Sequence, residues 1–449
     1  MKKKYFGTDG IRGAVGSATI NPDFMMRFGH AIGLVFSSQS KASRTKVLIG
    51  KDTRLSGYMF ESAIEAGLAA AGADVVLAGP VPTPAVAQLT RALRLDAGVV
   101  ITASHNPHHD NGIKLFTSAG GKISDEIELQ IENLIDKGLN VAPAGKIGKA
   151  SRLSDATGRY TEFCKSTFPQ KLNLKGLKIV VDCGNGASYN VAGNVLRELG
   201  ATVFAVGVTP NGLNINEGCG ALHPENLVQN IRKESADFGV TLDGDGDRVL
   251  MADADGSIFD GDQLLYIIGK SRLESGNLEG GIVGTQMTNL AIENGFRHLG
   301  IPFERSAVGD RYVLEKLQEK NWAIGGEGSG HIVCLDKHTT GDGVVSALQV
   351  LAEIQRTGNS MKELLKEVDL FPQVLVNVKL PSKLNALQKE QVREISDKYV
   401  DLVGSDYRVL IRESGTEPLL RVMVEGPDPQ KTKSFADQAA VEFRSAVVG

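Results

Sequence analysis

The sequence predicts an α/β protein of three similar domains, followed by a smaller α+β domain. Three observations carry this reading. The 449 residues are too many for one ordinary domain. A strand–helix–strand pattern occurs three times, starting near Lys46, Lys178 and Gly281. The copies begin roughly a hundred residues or more apart, a domain-sized spacing rather than a solenoid repeat. The segment from Phe371 lacks the pattern and forms the α+β unit. Domains are expected over residues 1–150, 151–252, 253–368 and 369–449.

Composition excludes several classes. Hydrophobic residues at 42% and charged residues at 23% describe a globular chain rather than a disordered one. A net charge of -4 without a basic block argues against a nucleic-acid partner. No apolar run is long enough to span a bilayer, and no apolar core follows Lys2-Lys3-Lys4, so neither a membrane partner nor a secretory leader is expected. Cys164, Cys183, Cys219 and Cys334 are scattered without metal-ligand spacing and read as reduced thiols in a cytoplasm.

Taken in order, the chain opens on the glycine-rich stretch Tyr5-Phe6-Gly7-Thr8-Asp9-Gly10-Ile11-Arg12-Gly13. It is either a surface turn or a loop aiming Arg12 at an anion. Asn21-Pro22 opens a helix as N-cap and first helical residue. Phe24, Phe28, Ile32, Val35 and Phe36 form its apolar face. The first repeat begins at Val47-Leu48-Ile49-Gly50, and Gly72 ends its helix.

Val99-Val100-Ile101 then reads as a buried strand, with Asn106-Pro107 forcing a turn beyond it. Ser104 and His105 therefore sit at a strand's C-terminal end, where open α/β sheets hold their chemistry. Serine and asparagine are also ordinary turn formers. Asn111-Gly112 predicts a tight hairpin that folds Lys114 back towards Ser104. Lys114 is then a cation beside a phosphoserine, against the plainer reading of a solvated lysine. His108 and His109 read as exposed. Residues 125–137 form an amphipathic helix, and 141–145 a loop or linker.

The second repeat starts at Ile179-Val180-Val181-Asp182 and leads to Leu242-Asp243-Gly244-Asp245-Gly246-Asp247-Arg248. Three aspartates this close repel one another, and a cation relieves that. An EF-hand is excluded, because Arg248 stands at its glycine position, Ala254 at its glutamate position, and a strand precedes it. Oxygen-only ligands favour Mg²⁺ over a metal-free acidic turn. Asp253-Ala254-Asp255-Gly256 reads as a hairpin turn.

After the third repeat, Gly325-Gly326-Glu327-Gly328-Ser329-Gly330-His331 offers an acceptor, a hydroxyl and an imidazole within five residues. That set suits a hydroxylated or amino sugar, as against a merely flexible loop. Near the C-terminus a strand runs into Arg412-Glu413-Ser414-Gly415-Thr416, with Arg421 following. Such a turn makes a phosphate cradle.

These motifs, in this order, resemble the α-D-phosphohexomutase superfamily over essentially the whole chain. The stretches 5–13, 336–343 and 371–373 resemble its glucosamine branch, while Gly328 stands where relatives often carry a larger polar residue. The resemblance implies three α/β domains with mixed sheets and a last domain around a central cleft. It implies a phosphate on Ser104, and one Mg²⁺ held by that phosphate with Asp243, Asp245 and Asp247. It implies an isomerase moving a phosphoryl group between O6 and O1 of glucosamine, through glucosamine 1,6-bisphosphate, to supply cell-wall precursors in bacteria. Ser104, His105, Lys114, Arg12, Arg248 and His331 are then catalytic. Glu327, Ser329, Arg412, Ser414, Gly415, Thr416 and Arg421 bind the small-molecule sugar phosphate. The family allows a homodimer. The alternatives are glucose or mannose phosphate as substrate, a serine-dependent sugar phosphatase, and a non-catalytic sugar-phosphate binder.

Overall fold

The computed structural model describes residues 3–7, 9–39, 44–380, 384–404, 406–413 and 419–448. Each repeat builds one mixed sheet. In the first, the strand order is Ile11–Ala14, Asp110–Thr117, Ala97–Ile101, Lys46–Lys51, Asp74–Pro80 and Ala150–Arg152. The second runs Ile258–Phe259, Val249–Asp253, Phe238–Leu242, Lys178–Asp182, Thr202–Val206. The third runs Phe303–Ser306, Ile282–Thr285, Ile324–Gly326, Ile332–Cys334.

One rule recurs in all three sheets. A strand pairs in parallel with its successor across a helix, then with a third strand on its other edge. The third strands are Ala97–Ile101, Phe238–Leu242 and Ile324–Gly326, and every residue in them is buried. Their near-continuous apolar character follows, since helices cover central parallel strands on both faces. Each third strand runs into a loop and returns as an antiparallel partner. The serine, aspartate and glycine-rich motifs occupy those three loops, so they are the same position in three copies of one unit.

The Asn111-Gly112 expectation needs correction. Both residues lie inside the strand Asp110–Thr117, and Asn111 is fully buried opposite Gly13. The chain reverses earlier, in the serine loop itself, and antiparallel pairing with Ala97–Ile101 sets Lys114 across from Val100. The tertiary pairing overrides the local turn signal.

One hydrophobic cluster joins the first three domains, drawing Leu48 and Val100, Ile179 and Val181, and Ile282 and Leu351 into one core. Polar contacts pin the same seams: the Thr53 hydroxyl donates to the Asn185 carbonyl (2.6 Å), and the Thr339 hydroxyl to the Gly120 carbonyl (2.6 Å). The last domain is an antiparallel sheet ordered Gln373–Lys379, Leu419–Glu425, Arg408–Glu413, with its own core around Val422 and Phe443. It meets the third domain through Arg408, which donates to the carbonyls of Gln286 (2.6 Å) and Thr288 (3.1 Å). Among the described residues, no helix is long and apolar enough to cross a membrane.

In the first domain, the helices Pro22–Gln39 and Leu55–Ala70 approach through glycines. A Cβ at Gly29 would lie 2.5 Å from the Ile64 carbonyl oxygen, and one at Gly67 would overlap the Met26 carbonyl. Alanine is favoured over glycine by about 1 kcal/mol in a helix, whereas overpacking costs about 1–3 kcal/mol. Because the obstructing atoms are backbone, overpacking should win. Gly67→Ala is expected to lower the thermal unfolding midpoint in calorimetry, and a raised midpoint would contradict this packing.

Candidate active site

Ser104 closes the strand Ala97–Ile101 in a left-handed conformation (φ 52°) and is 1% exposed. A non-glycine residue held there costs of order 1–3 kcal/mol, so its surroundings must over-determine it. They do. The Ser104 N–H donates to the Thr102 hydroxyl (2.8 Å), which donates to Asp52 (2.7 Å). Asp52 also accepts from Arg54 Nε (2.8 Å). The fully buried Arg54 guanidinium donates to the carbonyls of Ser104 (2.9 Å), Asn106 (2.7 Å), Asp110 (3.1 Å) and Pro107. Asn216 donates to the Ser104 carbonyl from the second domain (3.1 Å).

This frame presents the Ser104 hydroxyl to Asp243, to which it donates at 2.7 Å. Asp243, Asp245 and Asp247 are all buried, with one oxygen of each lying within 4.8 Å of the others. Lys114 Nζ donates to Asp245 and to Asp247, both at 3.0 Å, and lies 3.2 Å from Asp9. Thr83 donates to Asp245 at 2.7 Å. Burial, then Asp245 and Asp247, push the Asp243 carboxyl well above its usual range. Burial also opposes the charge on Asp247, but Lys114 and His331 outweigh it and hold that group well below its usual range.

The donor set fits a hard cation. One oxygen of Asp245 and one of Asp247 are buried without a hydrogen-bond partner. A buried unpaired acceptor is costly, and a metal ligand removes that cost. Three carboxylates and no softer ligand suit an Mg²⁺-like ion.

A cleft of about 510 Å³ lies in front of Ser104 and takes residues from all four domains, Gln373 being the fourth domain's contribution. Arg12, Asp247, Arg248, Glu327, Ser329 and His331 line it. Arg12 is paired with Asp9 there, and the Arg248 N–H donates to Asp243 (3.1 Å). Glu327 accepts from the Gly309 N–H (2.9 Å). The His331 ring packs against Gly341, its Nδ1 is 3.7 Å from Asp247, and its Nε2 has no hydrogen-bond partner. His105 Nδ1 is 3.4 Å from the Ser104 hydroxyl. Burial, then Arg248 and Arg12, bring its pKa down to about 4, so this imidazole is neutral at neutral pH. His108 and His109 are exposed and belong to no metal-ligand cluster among the described residues.

The C-terminal motif is only partly brought in. Ser414, Gly415 and Thr416 lie outside the described residues. Arg412 and Arg421 face each other directly across adjacent strands but do not line the cleft. Neither has an acidic partner among the described residues, and burial, then Arg421, lowers the Arg412 pKa. Like charges directly opposite are unfavourable in a sheet, and an anion would relieve them.

The sequence reading missed Asp52, Arg54, Thr83 and Asn216. The available signal was Lys51-Asp52-Thr53-Arg54, a charged run directly after an apolar strand.

Comparison with known proteins agrees with this geometry. The phosphoglucomutase/phosphomannomutase family matches through its alpha/beta/alpha domains I, II and III over residues 3–142, 158–256 and 260–371, and its C-terminal domain over 375–441. A phosphoglucosamine mutase of Nitrosospira multiformis is 56% identical, covering 100% of this chain and 98% of that protein. One from Polynucleobacter asymbioticus is 58% identical, covering 95% of each. The crystal structure of a phosphoglucomutase/phosphomannomutase family protein from Burkholderia thailandensis superposes with a TM-score of 0.83 at 25% identity, covering 98% of this chain and 97% of that one.

The aspartate cluster makes a direct prediction. Titration calorimetry with Mg²⁺ is expected to show one site, weakened at least about tenfold in Asp245→Asn. Equal affinity in the variant would place the ion elsewhere.

Proposed function

This chain belongs to the phosphoglucomutase/phosphomannomutase family of the α-D-phosphohexomutase superfamily, and we propose that it interconverts glucosamine 6-phosphate and glucosamine 1-phosphate. It is an isomerase of the phosphotransferase type. The observation that carries the reading is the Ser104 hydroxyl, held 2.7 Å from a buried aspartate cluster at the floor of a four-domain cleft. The relatives' names supply the amino sugar.

In the reaction we infer, phosphorylated Ser104 gives its phosphoryl group to O1 of glucosamine 6-phosphate. The P–Oγ bond breaks, a P–O1 bond forms, and glucosamine 1,6-bisphosphate results. The bisphosphate reverses in the cleft, its 6-phosphoryl group returns to Ser104, and glucosamine 1-phosphate leaves. Asp243, Asp245 and Asp247 would hold one Mg²⁺, which supplies charge neutralisation for the transferring group.

Lys114 and Arg248 add fixed positive charge at the same place. The O1 proton goes to His331 or to Lys114. What supports His331 is its unpartnered Nε2, whereas three carboxylates already surround the Lys114 ammonium. Glu327 and Ser329 contact the sugar. Arg12, close to Asp245 and Asp247, adds to that fixed positive charge, while the pair Arg412 and Arg421, with the turn 414–416, holds the phosphate that is not reacting. The four unpaired, buried cysteines support a reducing compartment, and we place the protein in the cytoplasm as a monomer or homodimer.

Two outcomes test this reading. Intact-protein mass spectrometry should find one phosphate on active protein, and Ser104→Ala should lose both that phosphate and turnover in a coupled assay for hexosamine 1-phosphate. Near-normal turnover in that variant would overturn the mechanism, and release of inorganic phosphate instead of product would make the chain a phosphatase. With saturating Mg²⁺, kcat/KM for glucosamine 6-phosphate should exceed that for glucose or mannose 6-phosphate at least about tenfold, or roughly 1.4 kcal/mol. A preference for either other sugar would keep the family and remove the substrate.

A further inference from the structure

The first and third domains face each other across the cleft, and one lysine joins their walls. Lys122 follows the tight turn 117–121, in which the Gly120 N–H donates to the Thr117 carbonyl (2.9 Å). The Gly120 carbonyl of that turn accepts from the third domain's Thr339. Lys122 Nζ donates to Asp9 Oδ1 at 2.6 Å and to Asp310 Oδ2. Both carboxylates line the cleft, Asp9 from the first domain and Asp310 from the third, while Lys122 stands behind them.

Each carboxylate leads to a different end of the site. Asp9 Oδ2 lies 3.2 Å from Lys114 Nζ and also pairs with Arg12. Asp310 opens the helix Asp310–Lys320, directly after Gly309, whose N–H donates to Glu327 (2.9 Å). Two carboxylates close enough to share one ammonium repel each other without it. Burial opposes the charge on Asp9, but Lys114, Lys122 and Arg12 outweigh it and hold that carboxyl well below its usual range. The Asp9 anion is therefore present at neutral pH. Lys114, Lys122 and Arg311 also border a cavity of about 30 Å³. An ammonium on a flexible stem beside open space is oriented by its ion pairs rather than by packing. A second pair across this seam, Arg311 with Asp125, is weaker: the Asp125 side chain is 56% exposed, against 19%, 18% and 12% for Lys122, Asp9 and Asp310.

We infer that Lys122 is a positioning residue: by holding Asp9 and Asp310 on one ammonium, it fixes the Lys114 end of the cleft against the Glu327 end. This rests on the mutase reading above, in which Lys114 serves phosphoryl transfer and Glu327 the sugar, and adds the group that sets the spacing between them. Lys122 acts on the substrate only through these neighbours. Its loss lets the two walls repel and the reacting groups drift apart, and a misplacement of about 1 Å can cost roughly a hundredfold in rate.

The test compares Lys122→Met with Lys122→Arg in the full-length protein at saturating Mg²⁺. The substrate is whichever hexose 6-phosphate the wild type turns over fastest, and rates are expressed per phosphorylated Ser104, counted by intact mass. Lys122→Met is expected to lower kcat at least about tenfold while KM shifts less than about threefold, the pattern of a lost alignment in the transition state. Lys122→Arg keeps a cation able to reach both carboxylates and should bring kcat back to within about threefold of the wild type. An unchanged kcat in Lys122→Met, a loss confined to KM, or an equal loss in the arginine variant overturns the assignment. Should Lys122→Met fail to fold, Lys122→Gln is read in the same way, because it keeps a polar side chain and loses the charge. A wild-type protein that turns over no hexose phosphate would instead overturn the proposed function, a separate result.

Discussion

Three buried carboxylates gathered together, one of them bonded to a serine hydroxyl, are the constraint on which the rest of this structure depends. Such a cluster is unfavourable in itself: each group loses hydration, and each repels the other two. The protein offsets this from several directions. Lys114 comes from the first domain, on the strand that follows the serine loop. Thr83, from the same domain, donates to Asp245, and the Ser104 hydroxyl to Asp243. His331 from the third domain faces Asp247. No single domain holds a complete set, and one apolar cluster runs through all three domains that supply it, beside separate cores within each.

The repeated unit explains how three domains reach one point. Each copy places its third strand beside its first and turns its chemistry into the loop beyond. The three copies carry different residues at that equivalent loop: a hydroxyl, an acidic triplet and a glycine run bearing Glu327, Ser329 and His331. Division of labour among copies lets each loop keep one backbone geometry while the side chains diverge.

Much of this was legible in the sequence because it rests on local patterns. The apolar strands, the glycine helix stops and the Asp-Gly alternation are all short-range signals. What was illegible depends on contacts between distant segments. Asn111-Gly112 reads as a hairpin turn, yet pairing with Ile11–Ala14 and Ala97–Ile101 draws it into a central strand. Arg54 reads as one more charged residue in a turn. It becomes the hub of the serine loop only because that loop arrives about fifty residues later with carbonyls to satisfy. A buried guanidinium with its donors fully used is a tertiary fact that no local pattern encodes.

The last domain follows a different logic. It has its own core, and it meets the third domain largely through the polar contacts of Gln373 and Arg408 with backbone carbonyls of residues 286–288. Such contacts exchange readily with water, because a net hydrogen bond contributes only about 0.5–1.5 kcal/mol. A shared apolar core would oppose separation far more strongly. In the proposed reaction the first three domains hold the reacting atoms, and rigidity serves that task. The fourth presents Arg412 and Arg421 as a pair without an acidic partner among the described residues, outside the present cleft lining. In the proposed reaction the bisphosphate presents each end in turn, and its distal grip would have to adjust while the floor stays fixed. For the proposed reaction, a separate core joined by polar contacts would let the fourth domain shift while the aspartate cluster stays undisturbed.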